Sequence, residues 1–330
     1  MFVEIAILIL SMLLIVACSE LFTNGIEWLG QYYKLSEGVV GSVFAAIGTA
    51  LPETMVPLIA IISFGSMEGN EVSVGAITGS PFMLSTLTFG LCGLFVWIFS
   101  KRGLRDGSLK YDSRVLKRDL RFFIVAYLIV FLMTFSPADQ TLRLAVGILV
   151  MLFYPLYLWR TFRAEGDVGE TPDVLYFARI AGVKSDSLPI ISGQVVASIA
   201  GIICGAYYFV NEIQLVAKAI GFSPQVLSII ISPIATEFPE KMNSILWARK
   251  GKDTLALGNI SGALVFQGTL LGGFGVAFTK WNLGYDARLS AIVALCSAAY
   301  LLSLVYFNKL NYRFMVLGIL TYAICVSVFI

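Results

Sequence analysis

The stretch GTALPE at residues 48–53 has a counterpart in ATEFPE at residues 235–240. Each stretch lies inside an apolar segment and places a Thr, a Pro and a Glu at the same positions. An offset of 187 residues superimposes the two. After the next turn the offset is 183, so that GAITGS (75–80) meets GNISGA (258–263). Both the apolar residues around these motifs and the polar residues within them align, which indicates an internal repeat.

Composition places most of the chain in a lipid bilayer. Of its 330 residues, 58% are hydrophobic and 13% are charged, whereas soluble domains carry about a quarter charged residues. A helix needs about 20 mostly apolar residues to cross the hydrocarbon core. Apolar windows and breaker residues predict ten spans, near residues 2–22, 38–64, 72–99, 121–136, 142–159, 189–210, 224–248, 254–279, 288–307 and 312–330.

The basic residues orient these spans. Four loops (100–121, 160–188, 248–253 and 308–313) together with Lys34 hold 18 of the 23 Lys and Arg residues. With ten spans all of these loops fall on one side of the membrane, and basic loops mark the cytoplasmic side. Both termini are therefore predicted to lie outside. A half with five spans also inserts with the opposite polarity to its partner.

The predicted fold class is an all-α polytopic membrane protein whose ten transmembrane helices form two inverted five-helix repeats. Residues 1–160 form the first repeat, 161–188 a cytoplasmic connecting loop and 189–330 the second repeat. Inverted repeats with a substrate site near their interface are a transporter architecture. Channels of this design also exist, so the repeat does not by itself establish exchange.

The two repeated motifs carry the candidate chemistry. A proline inside a helix frees the carbonyl one turn earlier, so each motif is expected to break its helix beside a polar cavity. Thr49 and Glu53, like Thr236 and Glu240, are four residues apart and share a helix face. An ionised carboxylate at mid-membrane costs at least about 2.5 kcal/mol, which makes function the default interpretation. The structural alternative is a pair of protonated glutamates that pin the bundle.

At GTALPE and ATEFPE the chain resembles the cation/calcium antiporter superfamily, which includes the sodium/calcium exchangers. The follow-on segments GAITGS and GNISGA resemble the family's glycine-rich start of the next helix. The resemblance implies that Glu53 and Glu240 are the central metal-ion ligands. It also implies ligand oxygens from Thr49 and Thr236, from the Ser80 hydroxyl, and from the backbone near Ala46 and Pro233.

Four departures from the family pattern change the expected ligand set. The serine that usually precedes Leu-Pro-Glu is Ala50 in the first motif and Glu237 in the second. The amide or carboxylate usual on spans three and eight falls at Leu84 and Gln267. Ser80 has only an alanine as its repeat partner, and a lysine follows Glu240 where the family has an apolar residue. The predicted ion-binding set therefore also includes Glu237 and Gln267.

Lys241 supports two interpretations. It lies four residues after Glu237, the spacing of a Glu–Lys pair along one helix face. Its ammonium can act as a tethered cation that neutralises Glu237 when no ion is bound, or it can release a proton. The plainer alternative is a lysine on the far face of the helix that extends its charge toward water.

The predicted function is secondary antiport of Ca²⁺, or another divalent cation, against Na⁺ or H⁺ by alternating access in the cell membrane. The expected partners are inorganic cations and the bilayer, with no cofactor, and a net charge of +2 is too small to indicate a nucleic-acid surface. The chain has no histidine, which excludes His-ligated zinc and a Ser/His/Asp triad, so an intramembrane enzyme has little support. The alternatives are a divergent member that moves a monovalent ion or protons, and a cation channel or leak pathway.

Overall fold

The computed structural model describes residues 1–33, 45–65, 67–136, 139–164, 174–182 and 187–329, without the side chains of 45–50, 162–164, 181 and 238–241. Over these ranges its regular elements are all helical, which confirms the predicted all-α class. The helices are α1 (Phe2–Tyr32), α2 (Ala45–Phe64), α3 (Met67–Lys101), α4 (Ser113–Leu132), α5 (Gln140–Met151), α6 (Phe153–Ala164), α7 (Tyr176–Ala181), α8 (Leu188–Ile220), α9 (Pro224–Arg249), α10 (Asp253–Phe278), α11 (Tyr285–Tyr306) and α12 (Tyr312–Phe329).

Seven of the described helical segments are long and apolar enough to cross a membrane: α1, α3, the α5–α6 segment Gln140–Thr161, α8, α10, α11 and α12. The prediction of ten spans is not confirmed. In α2 only Leu51–Phe64 forms an apolar stretch in the described part. Helices α4 and α9 carry several charged residues each, which lowers their hydropathy. The ten-span, two-repeat plan stays a prediction.

Two predicted spans end too early. The first was expected to end at residue 22 and the sixth at residue 210, but α1 continues to Tyr32 and α8 to Ile220. The polar residues that suggested these ends lie inside the helices. Asn24 in α1 and Glu212 in α8 are both buried, so neighbouring helices cover them. Polar side chains that pack against protein do not mark the edge of the bilayer.

Helices α1 and α8 pack against each other and leave an apolar face outward. Their contact includes a buried cluster of Cys18, Phe22 and Ile26 from α1 with Ile202 from α8. On the opposite side of α1, large apolar side chains such as Leu10 are exposed. Exposed apolar surface of this extent is unusual for a soluble monomer and fits a helix that faces lipid.

The described part of the 161–188 connection docks on this helix pair. The backbone N–H of Tyr176 donates to Asn24 Oδ1 at 3.3 Å, and that of Phe177 donates to Gln194 Oε1 at 2.8 Å. Gln194 Nε2 also donates to Asn24 Oδ1 at 3.0 Å. The side chains therefore satisfy the first N–H groups of α7, which have no partner inside their own helix. Within the described residues, Asn24 thus serves as an anchor for α7.

Two π-helical turns occupy positions that the 183-residue offset pairs. They are Leu84–Thr88 in α3 and Gln267–Leu271 in α10, and Leu84 and Gln267 begin them. Single π turns inside α-helices occur frequently at functional sites. The shared placement supports the repeat inferred from the sequence.

Two glycines at positions paired by this offset differ in their packing, and this gives a first testable prediction. A methyl group added to Gly79 would overlap the backbone of Ile229 in α9, whereas one added to its partner Gly262 would lie 3.6 Å from the Tyr157 hydroxyl. Backbone cannot move aside as a side-chain end can. Gly79→Ala is therefore expected to destabilise the protein by about 1–3 kcal/mol, the usual cost of overpacking, and Gly262→Ala by less than about 1 kcal/mol.

Thermal unfolding of the purified variants in detergent measures this difference. The matched control is Gly262→Ala, since both changes add one methyl to paired positions of the same motif. Equal melting temperatures for the two variants would contradict the close approach of α3 to α9.

Candidate ion-binding site

Two buried carboxylates and one buried amide meet where α2, α9 and α10 come together. Gln267 Nε2 in α10 donates to an Oε2 atom of Glu53 in α2, and also to Glu237 Oε1 in α9 at 3.3 Å. Glu237 and Gln267 are fully buried, and Glu53 is 5% exposed. An amide NH₂ carries two hydrogens, so one group can serve both carboxylates. The structure thus joins three of the predicted site residues.

The proline-containing helices reach this point without a break. Pro52 lies within α2, and α9 is helical through both Pro233 and Pro239. The expected interruption of these helices is wrong for the described backbone. A proline still removes the hydrogen bond of the carbonyl one turn earlier, so the helix can stay continuous and yet present an under-used oxygen near the carboxylates.

The predicted hydroxyl groups are buried too. Ser80 in α3 and Thr236 in α9 are 4% and 5% exposed. Thr236 Oγ1 donates to the Ser232 carbonyl at 3.1 Å, which leaves its oxygen lone pairs as acceptors for a cation. The place of Ser80 in the site stays a prediction.

Three predicted participants have side chains outside the described residues: Thr49, Glu240 and Lys241. Their backbones continue α2 and α9, and Ala46 belongs with them. Within the described side chains, no group of three or more acidic or cysteine residues converges as a metal site. The described side chains contribute two carboxylates, those of Glu53 and Glu237, to the candidate site.

A row of hydroxyls on α9 was missed by the sequence analysis. Ser228 and Ser232 are buried, and their Oγ atoms lie 2.8 Å apart. Ser228 also donates to the Val72 carbonyl of α3 at 2.7 Å. With Thr236 they repeat every four residues, a spacing that places all three on one face of α9. Glu237 directly follows the last of them. This four-residue spacing is visible in the sequence and would have indicated a hydroxyl-bearing helix face.

Another buried carboxylate, Asp119 in α4, is held by protein groups. Its Oδ2 accepts from Ser261 Oγ in α10 at 2.6 Å, and its Oδ1 accepts from Arg118 Nε at 2.9 Å. A buried charge needs such partners. This cluster fastens α4 to α10 and differs from the Glu53 group, where an uncharged amide faces two acids.

The geometry of the Glu53 group suits a cation. Two carboxylates aimed at one point repel each other, and burial strengthens the repulsion. A metal ion placed between them would relieve it, and hard cations such as Ca²⁺ prefer carboxylate, amide and hydroxyl oxygens. All three oxygen types are present in Glu53, Gln267 and Thr236.

Comparison with known proteins assigns this chain to a family. The family model for the sodium/calcium exchanger protein matches residues 3–163 and 191–330. An uncharacterized membrane protein of Methanocaldococcus jannaschii is 23% identical over 77% of this chain and 75% of its own. A sodium/calcium exchanger of Methanosarcina acetivorans is 22% identical over 79% of each chain.

A solved structure shares the fold. The crystal structure of an H⁺/Ca²⁺ exchanger superimposes with a TM-score of 0.75 at 16% identity, over 99% of this chain and 85% of that one. With the seven apolar segments, these similarities show an integral multi-pass membrane protein. The chain belongs to the sodium/calcium exchanger protein family, within the cation/calcium antiporter superfamily.

Proposed function

We propose that the protein is a secondary antiporter that exchanges Ca²⁺, or another divalent cation, for Na⁺ or H⁺ at the Glu53–Gln267–Glu237 group. The observation that carries this proposal is the bridge from Gln267 Nε2 to Glu53 and Glu237, because it brings two buried acids from separate helices to one point. Buried carboxylates in a membrane protein are expensive and mark ion pathways.

Glu240 and Thr49 complete the proposed site by family resemblance, and Ser80 and Thr236 add hydroxyl oxygens. The ions would take turns at these ligands, with the site open to one side of the membrane at a time. The two inverted repeats of 1–160 and 189–330 supply the symmetry that such alternating access uses. Both termini would lie outside the cell.

The counter-ion is open to two choices, and relatives support each. A sodium/calcium exchanger is among the sequence relatives, and an H⁺/Ca²⁺ exchanger is among the structures that share the fold. The family has an amide or a carboxylate at the position of Gln267. Because Gln267 is a neutral amide, the described side chains give the site two negative charges, those of Glu53 and Glu237. The rival functions are exchange of monovalent ions or protons alone, and a channel.

Uptake of ⁴⁵Ca²⁺ into proteoliposomes tests the proposal and identifies the counter-ion. Uptake is measured with an outward Na⁺ gradient, an outward H⁺ gradient and no gradient, at a clamped membrane potential. An antiporter is expected to accumulate Ca²⁺ only when one of the two outward gradients, Na⁺ or H⁺, drives the exchange. Equal uptake without any gradient would indicate a channel, and no Ca²⁺ flux under any condition would leave only exchange of other ions.

Lys241 enters this proposal as a tethered cation for Glu237. The Lys241→Met variant in the same assay is expected to change the dependence of uptake on the counter-ion concentration, because the ammonium competes with the ion for the acid. An unchanged dependence would mean that the lysine points away from the site.

A further inference from the structure

We propose that Gln267 is a two-position side chain that stands in for the cation. With no ion bound, its NH₂ group lies between Glu53 and Glu237, and with an ion bound it turns its carbonyl oxygen to the metal. The inference rests on the proposed function and adds to it the residue that exchanges places with the ion. It assigns Gln267 two successive roles, hydrogen-bond donor and metal ligand.

The amide NH₂ group and the cation compete for the same carboxylate oxygens. Gln267 Nε2 donates to both acids, and its contact with Glu237 Oε1 is 3.3 Å. A Ca²⁺ ion bound to those two oxygens would sit about 2.3–2.6 Å from each, in the space that the amide hydrogens fill. Amide hydrogens carry partial positive charge and repel a cation. The NH₂ group therefore has to leave when the ion arrives.

The carbonyl oxygen of the same amide is available as a ligand. Gln267 Oε1 is buried and has no hydrogen-bond partner within the described residues. The large majority of buried side-chain polar atoms have such a partner. This oxygen is therefore an unused acceptor among the described residues. The last torsion of a glutamine side chain is soft and roughly two-fold. Half a turn exchanges the nitrogen for the oxygen without moving the helix, and in the described part no hydrogen bond to Oε1 resists it.

The two π turns begin with chemically different side chains. Gln267 begins the turn in α10, and its repeat partner Leu84 begins the turn in α3. Leu84 is equally buried but cannot donate or accept. A single amide therefore serves acids from both halves of the chain. Because that amide is neutral, it can separate the acids in the empty site without adding a third negative charge.

Infrared difference spectroscopy on the purified full-length protein tests the switch. The protein is produced with glutamine carrying ¹³C at the side-chain carbonyl, and spectra are recorded with and without Ca²⁺. The expected result is a Ca²⁺-induced shift of a side-chain amide carbonyl band that moves with the label. The band is expected to be absent from Gln267→Met and retained in the matched control Leu84→Met. Gln267→Met is also expected to bind Ca²⁺ about tenfold more weakly, which corresponds to about 1.4 kcal/mol.

The outcomes separate this inference from the proposed function. Ca²⁺-induced carboxylate bands without any labelled amide shift would overturn the switch and leave the antiporter proposal standing. No Ca²⁺-induced band of any kind, together with no gradient-dependent uptake, would overturn both. If Gln267→Met does not fold, Gln267→Asn keeps an amide at this position and removes the labelled carbonyl, so loss of the labelled shift in that variant still assigns the band to Gln267.

Discussion

Replacing Glu53 by Gln is expected to lower gradient-driven Ca²⁺ uptake by at least about a hundredfold. Glu53 is buried and meets Glu237 through Gln267, so the change removes one of the two negative charges that the ion would neutralise. Loss of one partner from a desolvated charge pair costs about 2–5 kcal/mol. About 2.8 kcal/mol already corresponds to a hundredfold change in an equilibrium constant.

Initial rates of ⁴⁵Ca²⁺ uptake into proteoliposomes measure this effect at matched protein content. The control is Glu20→Gln, the same chemical change at an exposed site where Glu20 Oε1 accepts from the Tyr176 hydroxyl at 3.1 Å. Its rate is expected to stay within about twofold of wild type, since surface substitutions change stability by less than about 0.5 kcal/mol. Wild-type uptake by Glu53→Gln would show that the buried acid is structural.

Replacing Arg105 by Ala is expected to destabilise the protein by about 3–5 kcal/mol, the cost of leaving a buried charge without its partner. Arg105 lies between α3 and α4, and its Nη1 and Nη2 atoms donate to the two carboxylate oxygens of Asp253 at 2.6 and 2.8 Å. The two side chains are 5% and 1% exposed. Arg105 Nη1 also donates to the Ala248 carbonyl at 2.6 Å. The pair thus holds a loop from the first half against the turn between α9 and α10.

Melting of the purified variants in detergent measures this cost. Arg114→Ala is the matched control, because its pair with Asp112 has the same 2.8 Å contact but an arginine side chain that is 89% exposed. An exposed pair contributes about 0–1 kcal/mol. The double variant Arg105→Ala with Asp253→Ala is expected to melt above Arg105→Ala alone, since it removes the stranded charge. Equal melting of Arg105→Ala and wild type would contradict a clamp at this position.

The sequence was sufficient for the helices whose ends coincide with charged or breaker residues. The segment predicted at 224–248 is the helix Pro224–Arg249, and the one predicted at 254–279 is the helix Asp253–Phe278. The early ends of α1 and α8 have a different cause. Hydropathy treats each residue as if it faced lipid or water, whereas Asn24 is covered by Gln194 and the first turn of α7. That contact joins residues far apart in the chain, and no local pattern encodes it.

Three of the residues that meet at the Glu53 group were named from the sequence. The repeated Pro-Glu motif singled out Glu53, and the departures from the family pattern singled out Glu237 and Gln267. The bridge between them depends on how α2, α9 and α10 cross and on the π turn that begins at Gln267. A π turn rotates the side chains around it relative to a regular helix. The direction of the Gln267 side chain could therefore not be predicted from the 3.6-residue period of an α-helix. The hydroxyl row of Ser228 and Ser232 was overlooked although its four-residue spacing was visible.

If one buried carboxylate group serves both exchanged cations in turn, Na⁺ or H⁺ must compete with Ca²⁺ for it. Equilibrium Ca²⁺ binding to the purified protein measures this competition. Binding is measured at rising Na⁺ and, separately, at falling pH, for wild type and Glu53→Gln. The predicted result is an apparent Kd for Ca²⁺ that rises with one of the two competing ions at constant capacity, and a loss of binding in Glu53→Gln. Ca²⁺ binding that neither Na⁺ nor H⁺ weakens, or that survives Glu53→Gln, would contradict a shared site.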